Sequence, residues 1–170
     1  MNGLPISGHQ THRFVAALFL AAATALARDK QCGDCRIVIS IPDHKLVLLE
    51  GDHLLRAYEI ASGKPSTPSP RGDFRIVNRV AHPVWYGPHG AVRPGASNPL
   101  GTRWMGLSVR GYGIHGTNAP KSIGHSDSHG CIRMRNADVE NLFDLVDVGV
   151  PVQLLAEPSA DFRKLLSEAD

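Results

Sequence analysis

The chain of 170 residues predicts a mainly β domain with one helix packed after a cysteine-bearing loop. Three observations predict it. Short apolar runs are broken every few residues by Pro, Gly, Asn or Asp; the segment 61–72 is stiffened by three prolines; and one internal stretch alone has clear helical spacing. The length suits one well-buried core and is short for two generous domains.

Taken in order, residues 37–41 and Lys45–Glu50 read as strands joined by the turn-rich Pro42-Asp43-His44. Residues 54–60 continue the pattern. Together they predict antiparallel strands and not a doubly wound nucleotide domain. The prolines at 65, 68 and 70 restrict the backbone and interrupt ladder bonding, so 61–72 is a surface loop. Residues 74–77 resume a strand. From 81 to 102 the chain is rich in proline and glycine, an excursion suited either to lining a cleft or to decorating the sheet. Residues 105–109 and 112–115 are short strands. Val139, Leu142, Phe143 and Val146 recur at helical spacing, with Asn136 as a cap and Asp138 and Glu140 placing negative charge in the first turn. Gly149 closes that helix and 150–155 is a final strand. A weaker stripe at Phe162, Leu165 and Leu166 suggests a terminal helix within 157–170. No repeat, heptad or low-complexity tract favours a scaffold.

The amino terminus has a separate logic. His12-Arg13 precedes an apolar run from Phe14 to Ala23, and Ala25-Leu26-Ala27 supplies a small-x-small cleavage site. Residues 1–27 therefore read as a secretory signal, too short for a comfortable membrane span. Export to a periplasm or cell-wall space is expected, with no stable span after cleavage. The following segment, 28–35, carries Cys32 and Cys35. In an oxidising compartment these can close a small disulfide loop. A thioredoxin-like dithiol normally opens a helix, whereas here a strand follows. The formal charge of +2 is dispersed, without a basic block, which argues against nucleic acid as a partner.

That pairing leaves Cys131 odd and free, set in Ser128-His129-Gly130-Cys131. His115 lies sixteen residues upstream in Gly113-Ile114-His115-Gly116-Thr117. Cysteine is the side chain closest to a nucleophile at neutral pH, and an imidazole can take its proton and return it to a leaving group. His129 is adjacent in sequence; His115 can reach across a cleft and is the freer candidate base. Gly130 suits a tight turn exposing sulfur, backbone amides there can face a developing oxyanion, and Arg133 can steady the thiolate, the loop or a substrate carboxylate. The bland alternative is a buried structural cysteine beside a turn histidine. Zinc accepts ligands such as His115, His125, His129 and Cys131, but their spacing is not a paired-ligand finger, and no metal or cofactor is expected. His44, His53, His82, His89 and His125 default to surface, structural or loop roles.

Ile114-His115-Gly116-Thr117-Asn118 followed by Ser128-His129-Gly130-Cys131-Ile132-Arg133-Met134 resembles the two-part signature of the YkuD family of bacterial L,D-transpeptidases, of the ErfK/YbiS/YcfS/YnhG-like type. The resemblance spans 37–155, within a catalytic domain bounded at 36–156. Thr67-Pro68-Ser69-Pro70-Arg71-Gly72-Asp73-Phe74 and Val148-Gly149-Val150-Pro151-Val152 join it. Arg133 stands where many members place asparagine, and no added wall-binding repeat is visible.

The resemblance implies a compact β-sandwich. In it Cys131 attacks a peptidoglycan tetrapeptide stem, releases D-alanine and passes the acyl group to an amine, crosslinking or modifying the cell wall. It implies His115 as proton acceptor and donor, with the Gly116 carbonyl orienting its other ring nitrogen. His129 and the amides of Gly130 and Cys131 would shape the oxyanion region, with Ser128 and Arg133 supporting the pocket. Water as acceptor would make the same site an L,D-carboxypeptidase. A non-catalytic wall-binding protein remains the alternative from another class, above all if Cys131 were blocked by Cys32 or Cys35.

Overall fold

Branched and leucine side chains dominate the first two strands, β1 (Cys35–Ser40) and β2 (Lys45–Glu50), which pair antiparallel from Cys35 opposite Glu50 to Ser40 opposite Lys45. The computed structural model describes residues 32–167, so the signal expected over 1–27 lies outside the described residues. Both faces of this pair are covered, which is why the strands read as nearly continuous apolar runs. Ile37, Ile39, Leu46 and Leu48 enter the main core, while Val38, Val47 and Leu49 enter a second cluster closed by Phe162. Phe162 belongs to the terminal helix, α2 (Ala160–Ser167), which is held on that outer face by an Arg163–Asp43 ion pair at 3.0 Å.

The remaining strands are β3 (His53–Gly63), β4 (Gly72–Ala81), β5 (Trp85–Gly87), β6 (Gly90–Val92), β7 (Arg103–Leu107), β8 (Gly113–His115), β9 (Ser126–Ser128), β10 (Ile132–Met134) and β11 (Pro151–Leu155). The helix α1 (Asn136–Leu145) separates β10 from β11. Nine strands form one sheet in the order β10, β8, β7, β4, β11, β1, β2, β3, β9, and β10 also pairs with β3. That extra pairing closes the two walls of the sandwich into a barrel-like ring. The ring places β8, which ends in His115, directly beside β10, which begins one residue after Cys131.

β1, β2 and β3 pair antiparallel as expected, while elsewhere the sheet is mixed. β1 with β11, β8 with β10, and β3 with β9 run parallel. Parallel neighbours need a crossover between them, and the chain supplies long ones: everything from β2 to α1 lies between β1 and β11. The excursion 81–102 contains the small hairpin β5–β6, an ordered element within the stretch rich in proline and glycine. Its base is stapled by Asn98, whose buried carboxamide donates to the carbonyl oxygens of Pro83 at 2.8 Å and Val92 at 3.2 Å.

Helix α1 buries Val139 and Leu142 as the apolar spacing requires. Val146 is buried too, but it lies just past the last turn in extended conformation. At that end Arg79 stacks over the Phe143 ring at 4.0 Å and pairs with Asp147 at 2.5 Å, clamping the helix to β4. One expectation is corrected at the other end. Asn136 is the first helical residue, with Arg135 at the cap position, and its Oδ1 accepts from the backbone N–H groups of Thr102 at 3.3 Å and Thr117 at 3.1 Å. A short polar side chain bonds whichever N–H groups tertiary packing brings within reach, and here those belong to the segments flanking β7 and β8.

Cys32 and Cys35 form a disulfide. Cys32 N–H also donates to the Leu145 carbonyl at 3.3 Å, tying this segment to the end of α1.

Candidate active site

Cys131 sits in the turn between two three-residue strands, β9 and β10, and its half-buried thiol is free. Ser128 holds the turn. Its Oγ accepts from the Gly130 N–H at 3.0 Å and donates to the Cys131 carbonyl at 2.5 Å. The Gly130 amide, expected to face an oxyanion, is therefore engaged within the loop. Gly130 has φ of 111°, and a Cβ there would come within 2.6 Å of the Tyr112 ring, so both conformation and space call for glycine.

His115 is 5% exposed at the end of β8, and the register sets it opposite Arg133 on β10 and Trp104 on β7. The Trp104 indole stacks on the imidazole, centroids 5.7 Å apart and planes 25° from parallel. Asn78 fixes that indole by accepting its N–H at 3.0 Å. His115 Nδ1 lies 2.5 Å from the Gly116 carbonyl oxygen. A carbonyl can only accept, so Nδ1 carries the proton and Nε2 keeps its lone pair. Burial pushes the His115 pKa down to about 4; the Gly116 bond opposes this and the Arg133 charge adds to it. The imidazole is thus neutral at rest, as a proton acceptor must be.

Burial likewise raises the Cys131 pKa, with the Gly113 backbone and Arg133 opposing the rise. The thiol lies 3.7 Å from the Gly111 carbonyl oxygen. Burial thus favours the neutral form of both side chains.

Cys131 borders two cavities. One, of about 330 Å³, is lined by His115, Ser128, His129, Arg133 and Pro99 together with Cys131. The other, of about 770 Å³, has Val80, Val84, Tyr86 and Trp104 along its wall. Trp85 and Leu100 line both, so Cys131, Trp85 and Leu100 mark their junction.

His115, Ser128, His129, Cys131 and Arg133 thus converge, with Gly116 behind the histidine and Gly130 beneath the turn. Arg133 is largely covered and reaches the Asp127 carboxylate at 3.7 Å. His125 is exposed and lines neither of these two cavities, and among the described residues no three His, Cys, Asp or Glu groups converge as metal ligands. His44 has a structural bond, Nε2 to Ser126 Oγ at 3.1 Å. Sequence reasoning missed Trp104, Asn78 and the hairpin aromatics Trp85 and Tyr86. The cleft-lining reading of 81–102 covered the stretch that holds Trp85 and Tyr86, and no pattern marked Trp104 or Asn78.

Among the described residues no helix is long and apolar enough to cross a membrane. The family model for the YkuD L,D-transpeptidase catalytic domain matches residues 34–154. The chain is 44% identical over 119 residues to the YkuD protein of Bacillus licheniformis, covering 70% of this chain and 64% of that one. It is 30% identical over 162 residues to the YqjB protein of Bacillus subtilis, covering 91% of each. It superposes on the catalytic domain of the Enterococcus faecium L,D-transpeptidase with a TM-score of 0.59 at 27% identity, covering 72% of this chain and 97% of that domain. The chain belongs to the YkuD family of L,D-transpeptidase catalytic domains.

Proposed function

We propose that this domain is an L,D-transpeptidase whose acyl donor is a peptidoglycan tetrapeptide stem. The observation that carries the reading is the free Cys131 thiol sharing a cavity with a buried, neutral His115 whose Nδ1 is held by Gly116. Cys131 Sγ attacks the carbonyl joining the third residue to the terminal D-alanine while His115 Nε2 takes the thiol proton. The C–N bond breaks, His115 returns the proton to the departing amine, and D-alanine leaves a thioester on Cys131. An acceptor amine then attacks the thioester, passes its proton through His115 to sulfur, and a new amide bond forms.

Because Ser128 occupies the Gly130 amide, the Cys131 amide is the proposed oxyanion donor, with His129 beside it. Arg133 lies in the same cavity, placed to meet a substrate carboxylate. Two cavities that meet at Cys131 suit a reaction that brings a donor and then an acceptor to the same residue. The free thiol counts against the blocked, wall-binding alternative. Export to the periplasm or wall space fits a polymer outside the cytoplasmic membrane, and the Cys32–Cys35 disulfide fits an oxidising compartment.

The test is product analysis after incubation with a tetrapeptide stem and an acceptor stem. Crosslinked dimer with released D-alanine is expected. Tripeptide alone would assign the site to hydrolysis, and no D-alanine release would overturn the reading.

A further inference from the structure

The peptide unit joining Gly116 to Thr117 has its two polar groups spoken for on opposite sides. Its carbonyl accepts from His115 Nδ1 at 2.5 Å, and its N–H donates to Asn136 Oδ1 at 3.1 Å. Asn136 is the first residue of α1, and the cap position before it is held by Arg135. The same Oδ1 accepts from Thr102 N–H at 3.3 Å. Gly101 and Gly116 flank it, and a Cβ at either position would overlap the carboxamide oxygen. Two glycines thus open the space through which a helix residue reaches behind the histidine.

We infer that Asn136 is a positioning residue for His115, acting through the Gly116–Thr117 peptide. The chain runs from Asn136 Oδ1 to Thr117 N–H, through the amide to the Gly116 carbonyl, and on to the His115 ring. An amide that donates its N–H becomes a better acceptor at its C=O, and such chains strengthen where little water competes. Locking this peptide therefore fixes the Nδ1–H tautomer and aims Nε2 toward the thiol side. It also favours the imidazolium once the proton arrives.

No other neighbour of the ring does this. Trp104 stacks on the ring and sets its plane, not the position of its proton. Arg133, across the β8–β10 pair, opposes the imidazolium. Cys131 and His129 share the cavity and bear no bond to Nδ1 among the described contacts. Asn136 and its peptide are the counterweight to Arg133.

The tautomer part of this inference is independent of substrate, while its effect on turnover rests on the proposed acyl transfer. The test compares wild type with Asn136→Ala and Asn136→Asp by side-chain ¹⁵N NMR of His115 over a pH series, alongside thermal unfolding and acylation of Cys131 by a tetrapeptide stem. Wild type should show the Nδ1–H form alone. Asn136→Ala should mix the tautomers and slow acylation about tenfold, the equivalent of one buried hydrogen bond. Asn136→Asp keeps an acceptor for both N–H groups and adds negative charge, so it should keep the tautomer and raise the His115 pKa above wild type. If Asn136→Ala does not fold, the Asp variant alone decides the matter through that pKa. An unchanged His115 tautomer and pKa in the folded variants would overturn the inference and leave Asn136 a structural bracket. Failure of wild type to acylate, with the NMR changes present, would strike the proposed function and not this assignment.

Discussion

The Ser128 hydroxyl and the Cys131 carbonyl are joined at 2.5 Å, and the same hydroxyl accepts the Gly130 N–H. One buried side chain therefore sets the turn that presents the nucleophile. Ser128→Ala leaves the Gly130 N–H without its acceptor and should cost about 1–3 kcal/mol in urea unfolding. It should also slow acylation by up to about a hundredfold through misplacement of sulfur. Wild-type acylation in a folded Ser128→Ala variant would show that the turn holds itself.

Gly130→Ala combines a φ of 111° with a clash against the Tyr112 ring. A destabilisation of about 1–3 kcal/mol is expected from the backbone strain alone. Thermal unfolding checks it, and Tyr112→Ala in the same chain should recover only the steric part.

His115 links stability to pH. Its pKa falls from 6.5 to about 4 on folding, chiefly through burial. The unfolded chain then binds more protons than the folded one between those values, so stability falls as pH drops from 6.5 toward 4. The loss attributable to His115 is about 3 kcal/mol at the acid end. Urea unfolding of wild type and His115→Gln across this window should show the slope in the first and its reduction in the second.

Thiol reactivity follows from the same neutral pair. Burial holds the Cys131 pKa above the ordinary value of 9.0, so thiolate accumulates only as pH rises. Alkylation by iodoacetamide should still be climbing at pH 9.0. A rate plateau in mildly acidic solution would mean a stored thiolate–imidazolium pair and would contradict the assigned protonation states.

Much of this was legible in the chain. Strand β2 runs over Lys45–Glu50 as the apolar pattern predicts, and β1 and β11 match within two residues, because branched runs between turn residues leave few other readings. His115 and Cys131 were visible because thiol and imidazole chemistry is confined to few residue types. The strands β9 and β10 were hidden, since Ser126-Asp127-Ser128 is wholly polar and Ile132-Arg133-Met134 follows directly on a glycine turn. The parallel pairings were hidden because they join segments far apart in sequence. Asn136 was misread because its residue type suits a cap equally well, and the pair Gly101 and Gly116 that admits its side chain becomes a signal only once the strands are in place.

The central claim is that Cys131 is acylated with loss of D-alanine. Intact-mass measurement of wild type and Cys131→Ala, each incubated with a tetrapeptide stem, tests it most directly. Wild type should carry a tripeptide-sized adduct that added acceptor amine discharges, and Cys131→Ala should carry none. A folded wild-type protein with a free thiol and no adduct, or an adduct that persists in Cys131→Ala, would contradict it.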